Sequence, residues 1–222
     1  MCGRFTLDPT IKLYERFKIT NRLDDLTARY NIAPSQDVPV IIRQSPNRIV
    51  MMRWGLIPHW AKDESIGYKM INARAETITE KPSYRGLLPS KRCIVPASGY
   101  YEWQATGKKG KQPFYIHADT GEYLPFAGLY DIWKNSEGTE IYSFTIITTQ
   151  PTVHLQSIHN RMPVILEPAA EDVWLDPDVT DPEKLTPLLH PYTIRPLEFY
   201  KVSKAVNLPS NDSVDLIRKA VY

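Results

Sequence analysis

The apolar positions of this chain fall mostly in short runs broken by polar turn chemistry. VPVIIR (38–43), RIVMMRW (48–54), RCIVPA (92–97), YYEW (100–103), PFYIH (113–117), YLPFAGLY (123–130), IYSFTIITT (141–149) and MPVIL (162–166) are rich in β-branched and aromatic residues, and each predicts a strand. ATGKKGKQ, DTGE and NSEGTE supply turns between several of them. Consecutive strands with tight turns predict an antiparallel sheet, curled or packed as a barrel-like core. DPTIKLYERFK predicts a helix, with Asp8 as N-cap, Pro9 at the first helical position, and Ile11, Tyr14 and Phe17 on one face. PAAEDVWL and DPEKLTPLL predict short helices between the late strands. No βαβ alternation occurs, so a nucleotide-binding parallel sheet is not expected. Neither GxGxxG nor GxxxxGK[ST] is present, and TGKKGK lacks the spacing of a phosphate loop. The class is α+β: a single domain over 1–222, with a curled, barrel-like antiparallel β core and short peripheral helices.

Composition agrees with this picture. The chain has 222 residues, 42% hydrophobic and 23% charged, which suits one sizeable globular domain. No run approaches about 18 apolar residues, and the start lacks the apolar core of a signal peptide, so an intracellular, cytoplasmic or nucleoid-associated protein with no membrane partner is expected. Only Cys2 and Cys93 occur, and neither lies in a CxxC pair, so neither a disulfide framework nor a thiolate metal site is expected. Cys93, in a strand, reads as a buried small hydrophobe. The net charge of +2 hides an asymmetry: residues 1–111 carry 19 Lys/Arg against 10 Asp/Glu, residues 112–222 carry 8 against 15. A basic half suits a polyanion such as phosphate, unless the halves interleave in space and cancel.

The candidate chemistry begins at MCGRF. With Met1 removed, Cys2 carries an α-amine and a thiol on one residue, with ordinary pKa values of about 7.7–8.0 and about 8.5. SGYYEWQ sets Glu102 between Tyr101 and Trp103; alternation puts those two rings on one face and Glu102 on the other with Tyr100. A buried carboxyl there has a raised pKa and suits general acid–base work. SIHNRMP supplies His159 and Arg161, and MINARAET supplies Asn72 and Arg74 at the start of a possible helix. Aminothiol, carboxylate, imidazole and amide together suit two chemistries. One is thiolate attack on an acyl group, as in an N-terminal-nucleophile amidohydrolase or thiol peptidase. The other is attack on an aldehyde, where the amine forms an imine and the thiol closes on it to give a thiazolidine. Only the second uses both groups of Cys2. Arginines and aromatics interleave around these positions, Arg53, Trp54, Pro58 and Trp60 in RWGLIPHW, Asn31 and Pro34 in YNIAPSQ, and Trp103; such mixtures hold single-stranded nucleic acid by stacking and cationic contacts.

MCGRF, YNIAPSQ, RWGLIPHWAKD, MINARAET, KRCIVPASGYYEW and SIHNRMPVIL, in this order and spacing, resemble the SOS response-associated peptidase (SRAP) family, also called abasic-site processing proteins. The likeness runs from Cys2 to at least Leu166 and more loosely through YKVSKAVN. It implies a single α+β domain around a curled antiparallel sheet, loss of Met1, and a covalent thiazolidine between Cys2 and the ring-opened aldehyde of an abasic site in single-stranded DNA. It maps the family's functional residues onto Cys2, Asn72, Glu102 and His159, and its DNA contacts onto Arg4, Arg74 and Arg161, with Trp103 and Pro34 near the lesion; Trp54 and Trp60 are carried as further DNA contacts. This chemistry requires no cofactor and no metal, and a monomer is expected; Met1 leaves by self-cleavage or through an aminopeptidase, and loss of the 3′ phosphate from the imine makes a weak lyase activity chemically reasonable. The rival readings are a thiol peptidase acting on proteins and a non-catalytic single-strand-binding module.

Overall fold

The computed structural model describes residues 2–44, 46–107 and 110–220; Met1 and the Lys108–Lys109 pair of the ATGKKGKQ turn lie outside them. The strands among the described residues are β1 (Phe5–Leu7), β2 (Arg29–Ile32), β3 (Asp37–Arg43), β4 (Asn47–Trp54), β5 (Asn72–Arg74), β6 (Arg92–Ala97), β7 (Gly99–Ala105), β8 (Lys111–Ala118), β9 (Leu124–Lys134), β10 (Glu140–Thr149), β11 (Met162–Pro163) and β12 (Leu197–Lys201). Each of the eight apolar runs contains a strand, although in MPVIL it spans only Met162–Pro163; NSEGTE closes the β9–β10 hairpin and ATGKKGKQ lies between the paired β7 and β8, whereas DTGE joins β8 to β9 across the two sheets. In NSEGTE, for example, the Asn135 side chain accepts from the Glu137 and Thr139 amides at 3.0 and 2.8 Å, and Gly138 takes φ 83°.

Five of these strands close into a barrel. β3 pairs with β4 and with β6, β6 with β9, and β9 with β10, all antiparallel. β10 then returns to β4 in parallel, Ser143 opposite Arg53, and closes the ring. A second sheet, ordered β12-β8-β7-β1-β2, leans on it. The chain crosses from barrel to sheet between β6 and β7, where only glycine fits: a Cβ on Gly99 would collide with the Tyr115 hydroxyl. The interior is aromatic. Trp54 stacks on Phe144 at 6.4 Å and meets the edge of Phe5 at 5.2 Å. Cys93 is fully buried in β6, as a small hydrophobe.

Four short helices, α1 (Ile11–Arg16), α2 (Pro82–Arg85), α3 (Pro168–Leu175) and α4 (Pro182–Leu185), lie around this core; the last three open on proline. α1 begins later than expected. Its N-cap is Thr10, Ile11 is 55% exposed, and the buried residues are Leu13, Tyr14 and, just beyond, Phe17. Asp8 is engaged elsewhere: its amide donates to Ser98 Oγ at 2.9 Å and its carbonyl accepts from Tyr123 at 2.7 Å. MINARAET does not begin a helix. It forms β5, parallel to β10 from Asn72–Ile146 to Arg74–Thr148, followed by one 3₁₀ turn. The two differently charged halves of the chain interleave. Both sheets draw strands from each, and Arg16–Glu171, Arg29–Asp212 and Arg43–Asp172 pair early cations with late anions.

Among the described residues no helix is long and apolar enough to cross a membrane.

Candidate active site

β7 is the strand on which the site is built. β1 lies antiparallel to it, Phe5 opposite Tyr100 and Thr6 opposite Gly99, and the Tyr101 amide donates to the Arg4 carbonyl at 3.0 Å. That register leads the chain's start back toward Glu102. Cys2 ends fully buried, and its carbonyl accepts a hydrogen bond from Asn72 Nδ2 at 2.9 Å. Asn72 is positioned by β5, and β5 by β10. The same end of β10 holds β11 on its other side, Thr148 opposite Pro163, so the segment leading into β11 arrives beside β5. That segment carries His159, whose Nε2 lies 3.9 Å from Glu102 Oε2. Cys2, Asn72, Glu102 and His159 are thereby brought together from four separate stretches.

The electrostatics follow from burial. Glu102 is 2% exposed, and desolvation lifts its carboxyl from 4.5 to about 7. Both of its forms are populated at neutral pH, so it can give or take a proton. Burial, and then the nearby Glu102 charge, push the Cys2 thiol above the ordinary thiol range. The sulfur is therefore a protonated thiol that needs a base to react. Desolvation lowers His159 and keeps its imidazole neutral. Its Nδ1 lies 3.1 Å from the Arg161 amide and 3.3 Å from the Arg161 carbonyl. Accepting from that amide leaves the neutral ring's proton on Nε2, facing Glu102.

The expected DNA contacts divide. Arg74 is exposed at the end of β5, on the same strand face as Asn72. Arg161 is mostly buried, in a two-pronged pair with Glu76 at 2.6 and 2.9 Å and a 2.5 Å bond to the Thr148 carbonyl. It anchors the His159 segment, and Glu76 and Thr148 are partners the sequence gave no sign of. Arg4 donates to Asn31 Oδ1 at 3.0 Å and to the Val206 carbonyl at 2.7 Å. The buried Asn31 amide in turn bonds the carbonyls of Val206, Leu208 and Asn211. Trp103 donates to Asn207 Oδ1 at 2.8 Å, beside the same segment. Pro34 is half-buried in the turn between β2 and β3. Trp60 is 54% exposed on a loop, and no hydrogen bond or ring contact among the described residues ties it to Cys2. Trp54, carried as a DNA contact, lies in the core instead of on the surface: it is 0% exposed, its indole donates to the Ile71 carbonyl at 2.9 Å, and its ring packs against Phe5 and Phe144. Tyr100, beside Glu102 on β7, is a site residue for which sequence reasoning found no role. Among the described residues no group of three His, Cys, Asp or Glu side chains is placed to hold a metal ion.

Known proteins share this sequence and architecture. A protein of Bacillus subtilis named abasic site processing protein YoqW is 50% identical over 221 residues, covering 98% of this chain and 99% of its own. Abasic site processing protein HMCES of Gallus gallus is 34% identical, over 85% of this chain and 65% of its own. A crystal structure of a protein from Bacteroides thetaiotaomicron superimposes with a TM-score of 0.88 at 29% identity, covering 99% of this chain and 100% of that one. Residues 1–209 match the family described as SOS response associated peptidase (SRAP). With so much of its length inside that match, this chain belongs to the SRAP family.

Proposed function

We propose that this chain processes abasic sites in single-stranded DNA by forming a covalent thiazolidine through Cys2 once Met1 has been removed. The observation that carries the proposal is the convergence on Cys2: an amide on its carbonyl, and a carboxyl poised near neutrality with an imidazole 3.9 Å away. The names of the relatives support the substrate class.

The steps balance on these groups. Glu102, in its carboxylate form, takes the proton of the anomeric hydroxyl as the ring opens to the aldehyde, and the departing ring oxygen, hydrogen-bonded by His159 Nε2–H, is protonated from solvent. The freed Cys2 amine adds to the carbonyl carbon, and the resulting hydroxyl leaves as water on receiving a proton from Glu102. Glu102, now a carboxylate, takes the Cys2 thiol proton as sulfur bonds to the imine carbon. The C=N electron pair moves to nitrogen, which keeps the one proton it already carries, and Glu102 is left protonated and returns that proton to solvent. Asn72 orients Cys2 through its carbonyl. At the imine stage, loss of the 3′ phosphate by β-elimination gives a weak lyase activity. Self-cleavage of Met1 is part of the proposal, since Cys2 directly follows the bond to be cut. Arg4, Arg74, Arg161, Pro34, Trp60 and Trp103 are proposed to support the strand, Arg161 indirectly through the His159 segment. Every group comes from one chain, which supports action as a monomer, and the substrate is intracellular DNA.

A fully enclosed sulfur whose thiol is held protonated does not suit hydrolysis of protein substrates in trans. The test is to incubate mature chain with abasic-site single-stranded DNA and look for a denaturation-resistant adduct, with intact mass to establish loss of Met1. Adduct formation by a chain that keeps Met1 would refute the mechanism. Undiminished binding with no adduct would leave a single-strand-binding module.

A further inference from the structure

Two buried polar atoms beside Cys2 have no hydrogen-bond partner among the described residues, Asn72 Oδ1 and the Tyr100 hydroxyl. Asn72 already has a role. Tyr100 does not, and an unpartnered buried hydroxyl is a cost that folded proteins rarely carry without a use.

Its position is fixed by the sheet. Tyr100 and Glu102 are two residues apart on β7 and share a face. Tyr100 lies opposite Phe5 of β1 and Ile116 of β8, and the edge of its ring meets Phe126 of β9 at 5.8 Å and 84°. Those three neighbours are apolar, so they hold the ring and offer its hydroxyl nothing. The titratable groups that act on Tyr100 are Glu102 and Cys2. Glu102 in turn feels the terminal amine first, then the Trp103 backbone and Lys111, and faces His159. Burial holds the phenol proton firmly in place, so within this pocket the hydroxyl can donate but does not ionise.

We infer that the Tyr100 hydroxyl donates a hydrogen bond to the Cys2–Glu102 pair, serving whichever of the two carries the negative charge while the thiazolidine closes. The inference rests on the function proposed above. In that reaction one negative charge passes between the Glu102 carboxylate and the Cys2 sulfur inside a dry pocket. A neutral donor beside both lowers the cost of the charge at each stage, and hydrogen bonds to charged groups are the strong ones. Catalytic hydrogen bonds that are open in the resting protein commonly tighten only when substrate is bound.

The experiment compares wild type, Tyr100→Phe and Tyr101→Phe. Tyr101 lies on the other face of β7, where its hydroxyl donates to the Tyr30 carbonyl at 2.7 Å. Adduct formation with abasic single-stranded DNA is followed from pH 5.5 to 8.5, with DNA affinity and melting temperature measured alongside. Without the donor the anion is less stable, so Glu102 holds its proton to higher pH and less of the base form exists near neutrality. Tyr100→Phe is expected to slow adduct formation about tenfold at pH 6.5 and to move the acid limb of the profile up by about one pH unit, recovering toward wild type above it. Its DNA affinity should not change and its melting temperature should not fall, because the lost hydroxyl had no partner. Tyr101→Phe should keep the wild-type profile. A Tyr100→Phe profile that superimposes on wild type overturns the inference and leaves the proposed function standing. Joint loss of affinity and melting temperature also overturns it, by making Tyr100 a packing residue. No adduct from the wild-type chain overturns the proposed function, and this inference with it.

Discussion

Glu102 should weaken the fold at the pH where it serves the reaction, and Glu102→Gln should expose the trade. Burial lifts the carboxyl from 4.5 to about 7 in the folded chain. Below about pH 4.5 both folded and unfolded chains hold the proton, and nothing is lost. Between about 4.5 and about 7 the unfolded chain releases a proton that the folded chain keeps, so stability falls as pH rises. Above about pH 7 the penalty is complete, at about 3 kcal/mol. Glutamine keeps the shape and never ionises, so it escapes the penalty. For a chain of this length each kcal/mol moves the melting temperature by about 2–4 °C. Glu102→Gln should therefore melt about 6–12 °C above wild type at pH 8, with the gap closing toward pH 4.5. Over the same range it should lose about 10²–10⁴-fold in the rate of adduct formation, with DNA affinity unchanged. Calorimetry at pH 4.5 and pH 8, beside gel-resolved adduct formation, measures both. A melting difference that does not vary with pH, or a variant less stable than wild type at pH 8, refutes the placement of a costly carboxyl in this pocket.

Cys2→Ser should keep a borohydride-trappable imine and lose the stable adduct, because an alcohol does not replace the soft sulfur; an equally stable adduct without reductant would refute ring closure through sulfur. His159→Ala should slow adduct formation on a natural abasic site and lose most of that defect on a substrate already held as an aldehyde, as parallel time courses would establish. Arg74→Ala should leave the melting temperature unchanged and flatten the salt dependence of DNA binding by about 0.7 in log–log slope if it meets one phosphate. Arg161→Ala should instead lower the melting temperature, since it strands the Glu76 carboxylate and frees the Thr148 carbonyl.

The long strands could be read from the sequence because one face of each is buried and the alternation survives. β1 and β5 could not: three residues set no period, and each exists only because a distant strand pairs with it. Asp8 illustrates a competing force. Its residue type suits a helix cap, yet Ser98 and Tyr123, about ninety and more residues away, engage its backbone and move the helix start to Thr10. In the site, Cys2, Glu102 and His159 stood out as reactive types in odd settings, but strand alternation alone left open whether Glu102 is buried or faces solvent. What the sequence could not tell was which side of the sheet each tryptophan faces. Trp54 and Trp60 sit in one eight-residue motif, and one is core while the other is solvent-facing. Nor could it tell that Arg161 is already paired with Glu76, because an ion pair across 85 residues leaves no local trace.

Arg4 is two residues from the nucleophile, and the carbonyl of Val206 holds its guanidinium. This sets an order of events during synthesis. Along the chain Cys2 precedes Asn72, Glu102 and His159, and the segment that secures Arg4 follows them all. On the proposed function, a growing chain that has lost Met1 carries the Cys2 aminothiol before the groups proposed to act with it on an aldehyde have been made. On that same proposal, a molecule that forms one crosslink has its Arg4 secured only after that later segment has been made and docked.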